Sequence, residues 1–112
     1  MNWINLVSEN ELTKIKDLSF TQPQVIFKRS TRCSISVVAK NRLDNAAVPN
    51  GVDFYYLDLL NHRNISAKIA EDFNVNHESP QILLIKNGEC VYDESHGGIR
   101  MEDINEQLRI EN

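Results

Sequence analysis

Ser30-Thr31-Arg32-Cys33-Ser34-Ile35-Ser36 is the stretch on which the fold and the chemistry of this chain turn. Val25-Ile26-Phe27 runs before it, β-rich and apolar, and Val37-Val38-Ala39-Lys40-Asn41-Arg42-Leu43 after it has a helical pattern. A cysteine between a strand and a helix falls at or just before the helix N-terminus. There the unpaired backbone N–H groups and the positive end of the helix dipole favour an anion. Such surroundings lower a thiol pKa from about 8.5 to between roughly 3.5 and 7.5. Arg32 adds a fixed positive charge one residue earlier, and Ser36 lies about one helical turn on, with its hydroxyl in reach of the sulfur. Cys33-x-x-Ser36 therefore reads as a Cys-x-x-Cys redox site with a hydroxyl in place of the second thiol. A small residue capping an ordinary helix gives the same local pattern, because a lone cysteine is weak evidence.

Working outward, 112 residues make one domain, 1–112, large enough to bury a core. Twelve basic against sixteen acidic residues leave a net charge of −4, which argues against a nucleic-acid binder with a basic stripe. No apolar run approaches the roughly 20 residues that span a bilayer, and the first residues do not have the pattern of a signal peptide. The two cysteines are then expected in a reducing cytoplasm, as thiols rather than as a disulfide.

The chain opens on an apolar run, Met1 to Val7, expected to pack on the body. Ser8-Glu9-Asn10-Glu11 fits a capping box, and Leu12, Ile15 and Leu18 follow at helical spacing, which predicts a helix over about Glu9 to Ser19. The first strand is expected over Gln24 to Lys28 and the central helix over about Ser34 to Asn45. Phe54-Tyr55-Tyr56-Leu57, apolar on both faces, marks a second strand inside a sheet. A helix over about Arg63 to Phe73 follows, with Ile65, Ile69 and Phe73 on one stripe. The third strand is expected over Gln81 to Lys86, with Ile82-Leu83-Leu84-Ile85 continuously apolar; Asn87-Gly88 is a two-residue hairpin signal, and Glu89 to Asp93 returns. Gly97-Gly98 breaks the chain before a closing helix from Met101 to Ile110. The order α, β, α, β, α, β, β, α implies right-handed parallel crossovers and a final antiparallel hairpin. The expectation is an α/β fold: a central mixed sheet of four strands, or five, with helices on both faces.

With these pieces in place, the sequence resembles a thioredoxin-fold protein. Cys33-x-x-Ser36 follows the first core strand, and Ser79-Pro80 opens the third, where thioredoxin-like proteins keep a cis-proline. The strand, Asn87-Gly88 turn, strand, Gly97-Gly98, helix ending completes the match. More closely, Phe27-Lys28-Arg29-Ser30-Thr31-Arg32-Cys33-Ser34-Ile35-Ser36 with the Asn2-Trp3 opening resembles the monothiol bacilliredoxin family, thioredoxin-like proteins of bacteria that use bacillithiol. Two positions depart from thioredoxins. Phe27 stands where they carry a buried aspartate, and Arg32 where they carry a tryptophan, which with the missing second cysteine speaks against a general dithiol reductase.

The resemblance implies that Cys33 attacks mixed disulfides between protein thiols and bacillithiol, with Thr31, Arg32 and Ser36 in support. Bacillithiol is then a co-substrate and no cofactor or metal is tightly bound; the partners are bacillithiolated proteins and a low-molecular-weight thiol. Bacillithiol carries a malate group, so cations are sought: Arg32 first, then Lys28, Arg29 and Arg100. Ser79 and Pro80 are expected to present main chain to the cysteinyl part of the thiol, and Gly97 and Gly98 to contact it or to serve only as a turn. Cys90 follows the hairpin, about 20 Å from Pro80, beyond the roughly 7 Å that a disulfide allows between Cα atoms, and is read as structural. His62, His77 and His96 show no metal spacing and are read as surface or loop residues. Two other readings stay open: an iron–sulfur carrier that binds a cluster across a dimer, as monothiol glutaredoxins do, and a thioredoxin-like interaction domain with an inert cysteine.

Overall fold

The computed structural model describes residues 1–110. Strand β2 (Gln24–Arg29) lies at the centre of a five-stranded sheet in the order β1-β3-β2-β4-β5. It pairs in parallel with β3 (Asp53–Asp58) and antiparallel with β4 (Gln81–Lys86). β5 (Glu89–Ser95) closes one edge, antiparallel to β4, with an irregularity in register between Leu84 and Ile85. The other edge is β1, only Ile4–Asn5, parallel to β3 and exposed at both residues. The N-terminal run thus supplies the fifth strand.

Alternation along β2 divides the core in two. Ile26 faces Leu12 and Ile15 of α1 (Asn10–Leu18) and Ile65 and Ile69 of α3 (Arg63–Asp72). Val25 and Phe27 face Ala39 and Leu43 of α2 (Ser34–Asp44) and Met101 and Ile104 of α4 (Met101–Arg109). A strand covered on both faces needs apolar residues at successive positions, which is why these strands read as continuous apolar runs. Trp3 seals the second layer, 5.6 Å from the Phe27 ring and bonded through Nε1 to Asp44 Oδ1 at 2.7 Å.

Two connections set the geometry of the site. The parallel pairing of β2 and β3 ends at Arg29 and Asp58, and Leu59 N–H then donates to the Arg29 carbonyl at 3.0 Å. Antiparallel pairing puts Lys28 opposite Gln81, so Pro80 enters beside the exit of β2. The start of α2 and the start of β4 therefore share one end of the sheet.

The hairpin lies at the other end. Asn87 (φ 51°) and Gly88 (φ 79°) both take the left-handed region that a tight hairpin needs. Their N–H groups dock on the end of α1, Asn87 on the Ser19 carbonyl at 2.9 Å and Gly88 on Ser19 Oγ at 2.8 Å. A Cβ on Gly88 would stand 2.8 Å from the Phe20 ring. Gly88→Ala is accordingly expected to lower the unfolding free energy by about 1–2 kcal/mol, read by urea denaturation, with the start of α2 unaffected.

Candidate functional site

Cys33 is the N-cap residue of α2, with extended backbone (φ −97°, ψ 120°), and its side chain is half-buried. A turn from Ser30 to Cys33 (Cys33 N–H to the Ser30 carbonyl, 3.1 Å) lifts the chain off β2. The Cys33 carbonyl then accepts from Ser36 and Val37 N–H and starts the helix. The sulfur thus stands where the first helical N–H groups have no intrahelical partner. Ser36 is fully buried and does not serve the sulfur as expected. Its hydroxyl is shared between the Ser30 carbonyl (2.7 Å) and the Cys33 carbonyl (2.6 Å). Ser36 therefore clamps the loop that carries Cys33, and a single hydroxyl hydrogen held by two carbonyls leaves none for Sγ.

Thr31 and Arg32 are exposed on that loop. The Arg32 side chain has no hydrogen bond or ion pair among the described residues; only its backbone N–H is engaged, with Ser30 Oγ at 3.3 Å. The Ser79–Pro80 peptide bond is cis. Ser79 Oγ is buried without a partner, and the Pro80 carbonyl accepts from His96 N–H at 3.0 Å. His96 leads into a short 3-10 turn, His96–Gly98, that packs against α2. Arg42 of α2 holds that turn by donating to the Gly97 and Ile99 carbonyls, each at 3.1 Å. A Cβ on Gly97 would meet nothing within 4 Å, whereas one on Gly98 would meet the Glu94 carboxyl at 2.8 Å. A side chain at Gly98 would have to displace the end of the Glu94 side chain, whereas Gly97 faces open space.

Of the other cations proposed for an acidic ligand, Arg100 is exposed and bonded to Glu102. Arg29 has its Nε buried and unpartnered. Lys28 is fully buried, so it cannot meet a ligand as an exposed charge, contrary to expectation. Its ammonium donates to His77 Nδ1 at 2.9 Å, and Ser66 Oγ lies 3.2 Å from the same nitrogen. Burial, partly offset by the field of Glu78, brings the Lys28 pKa down to about 8. Burial and the Lys28 charge also push His77 down from its ordinary value. The contact of Lys28 and Ser66 with His77 escaped the sequence reading, although His77 is the exposed loop residue expected there. Its signal was present: Lys28 shares a face of β2 with Ile26, inside a strand covered on both sides.

Cys90 lies at the far end of the sheet. It pairs with Ile85, five residues along β4 from Pro80, or about 17 Å of strand. Its thiol donates to the Tyr92 carbonyl at 3.3 Å, and burial and Asp93 push its pKa up to about 11. Among the described residues no group of three or more His, Cys, Asp or Glu is placed to hold a metal, and no helix is long and apolar enough to cross a membrane.

Two outcomes follow from this geometry. At pH 8, iodoacetamide should modify the native protein at Cys33, with Cys90 reacting only after unfolding; peptide mapping by mass reads both. For Lys28, the folded pKa lies below the unfolded one, so the unfolded state binds more protons between about pH 8 and 10.5, and stability contributed at this residue rises with pH through that window. Relative to Lys28→Met, the wild type should gain up to about 3 kcal/mol between pH 7 and pH 10.5 in urea unfolding.

A family model described as monothiol bacilliredoxin BrxC matches residues 4–104. Among solved structures, one described as a putative oxidoreductase with a thioredoxin fold is 29% identical, with a TM-score of 0.83 over 95% of this chain and 93% of that one. Fasciola hepatica thioredoxin is 19% identical (TM-score 0.71, covering 93% of this chain and 94% of that one). Thioredoxin O2 of Arabidopsis thaliana is also 19% identical (TM-score 0.75, covering 96% and 95%). These two carry the fold alone. With a family match over most of its length, a thioredoxin-like sheet and a single cysteine at the start of α2, this chain belongs to the monothiol bacilliredoxin family and has a redox function.

Proposed function

We propose that the protein is a monothiol thiol–disulfide oxidoreductase that removes bacillithiol from protein mixed disulfides through Cys33. The observation that carries this reading is the position of Cys33: the N-cap of α2, half-buried, with Cys90 at the opposite end of the sheet. The Cys33 thiolate attacks the bacillithiol sulfur of the mixed disulfide. The new bond joins Cys33 to bacillithiol, the old disulfide breaks, and the client sulfur leaves as a thiolate that takes a proton from water. Ser36 has no sulfur and its hydroxyl is bound to backbone, and Cys90 is out of reach. The Cys33–bacillithiol disulfide therefore persists until an external thiol attacks it, giving a new mixed disulfide and free Cys33.

Ser79 and Pro80 fit the role of docking edge for the cysteinyl part of bacillithiol, because the chain entering β4 lies beside the exit of β2. Arg32 is exposed and unengaged, and it suits a carboxylate near the sulfur. Gly97, with open space before it, suits close approach of the thiol. The expected setting is the cytoplasm, where reducing conditions keep both thiols free.

The test is transfer from a bacillithiolated client protein, followed by intact mass. Wild type should lose one equivalent of client adduct to Cys33, Cys33→Ala should take none, and Gly97→Ala should transfer at least several-fold more slowly with unchanged stability. Equal loss of adduct with wild type and Cys33→Ala contradicts the assignment. A coloured, dimeric protein after anaerobic purification, without transfer, favours the cluster-carrier reading instead.

A further inference from the structure

Behind the Cys33 loop, on the α3 face of the sheet, Leu59, Arg63, Ser66, Ala67 and His77 line a cleft of about 250 Å³. Its position ties it to the exchange site from two sides. Leu59 is hydrogen-bonded to the Arg29 carbonyl, four residues before Cys33, so at most about 14 Å of chain separates the two. His77 stands three residues before Pro80. Cations around the cleft lack carboxylate partners, while the neighbouring Asp58 carboxylate already accepts from Leu60 N–H and Asn61. Lys28, fully buried, reaches His77 Nδ1 from below, and its ammonium has no carboxylate bonded to it among the described residues. Arg63 stands exposed at the mouth, and its side chain is likewise unengaged among the described residues. Arg29, beside the Leu59 wall, keeps its Nε buried and unpartnered. Glu78 is the carboxylate whose field reaches Lys28 and His77, and its own oxygen is bonded to His96 at 3.1 Å. Glu9, near the start of α3, is held by Asn64.

An ammonium taken out of water without a carboxylate partner costs several kcal/mol. Arg29 Nε, buried with no hydrogen-bond partner, likewise calls for an explanation beyond packing. We infer that this cleft is the subsite for the carboxylate-bearing arm of the small thiol: Arg63 meets the malate carboxylates at the mouth, Ser66 and His77 supply the polar wall, and Lys28 sets a positive potential beneath them. Leu59 and Ala67 offer apolar surface for the sugar ring that links malate to the cysteinyl group. The inference rests on the bacillithiol reading above and gives that reading its specificity: a thiol without an anionic arm would be exchanged at Cys33 with no help from the cleft.

The test uses one client thiol carrying either bacillithiol or a plain cysteine, each in single-turnover transfer to wild type and to Arg63→Gln. Arg63 is a surface residue outside both core layers, so the variant should fold. Losing one charge-assisted contact should slow transfer of bacillithiol about tenfold and leave transfer of cysteine within about twofold. In parallel, L-malate added to the free protein at constant ionic strength should move the amide signals of Ser66, Ala67 and His77 saturably in wild type and not in Arg63→Gln. Slowing of both adducts alike, or of neither, overturns the inference, as does a wild type whose signals ignore malate. If wild type strips neither adduct, the bacillithiol reading fails by itself. A saturable malate response lost in Arg63→Gln would then still support a dicarboxylate site, and its absence would overturn one.

Discussion

Everything at the functional end of this molecule depends on how β2 is paired. Because β3 runs parallel to it and β4 antiparallel, the exit of β2 meets the exit of β3 on one side and the entry of β4 on the other. That junction places three loops together: Ser30–Cys33 leading to α2, Leu59 onward leading to α3, and His77–Pro80 leading into β4. The antiparallel pairing of β4 with β2 is what puts the start of α2 beside the Ser79–Pro80 bond. The core layers on either side of β2 hold the junction rigid, with Phe27 in one layer and Ile26 in the other, both fully buried. A reactive group held this way is positioned by helices and strands rather than by a loose surface loop.

Within the junction, polar groups divide into two kinds. Some are satisfied by backbone and serve to fix the chain: Ser36 across the Ser30–Cys33 turn, Arg42 on the Gly97 and Ile99 carbonyls, and Ser19 under the distant hairpin. Others are left over, namely the Arg32 and Arg63 side chains, Arg29 Nε, Ser79 Oγ and the carboxylate-free Lys28. The leftover groups are mostly cationic and gather at this end of a chain whose net charge is −4. A local positive field on an acidic protein is what a small anionic thiol and a developing thiolate would meet there. Cys90, at the other end, faces Asp93 and stays protonated.

Most of the fold was legible because its strands are covered on both faces. Ile82 to Ile85 and Phe54 to Leu57 are apolar without alternation, and Asn87-Gly88 marks the hairpin by its backbone requirement alone. β1 was not legible as a strand: two exposed residues carry no pattern, and only pairing with Tyr55 and Tyr56 makes them one. At the site, the place of Cys33 at the start of a helix was legible from its spacing, and the cis Ser79–Pro80 bond only from the family resemblance. The partner of the Ser36 hydroxyl was not, because two backbone carbonyls compete with the sulfur at distances that only the folded turn decides. Lys28 was misjudged for a related reason. A lysine near a strand end usually reaches water, but here residues through Lys28 are paired on both sides, and the amine is turned under His77. No local pattern announces a contact between residues 49 positions apart.

The most direct measurement is to locate the adduct after the native protein has been mixed with a bacillithiolated client. Peptide mapping without reduction should find one bacillithiol on Cys33, Cys90 as a free thiol, and no bond between the two. An internal Cys33–Cys90 disulfide, or the adduct on Cys90, would contradict an account in which one sulfur at the start of α2 works alone.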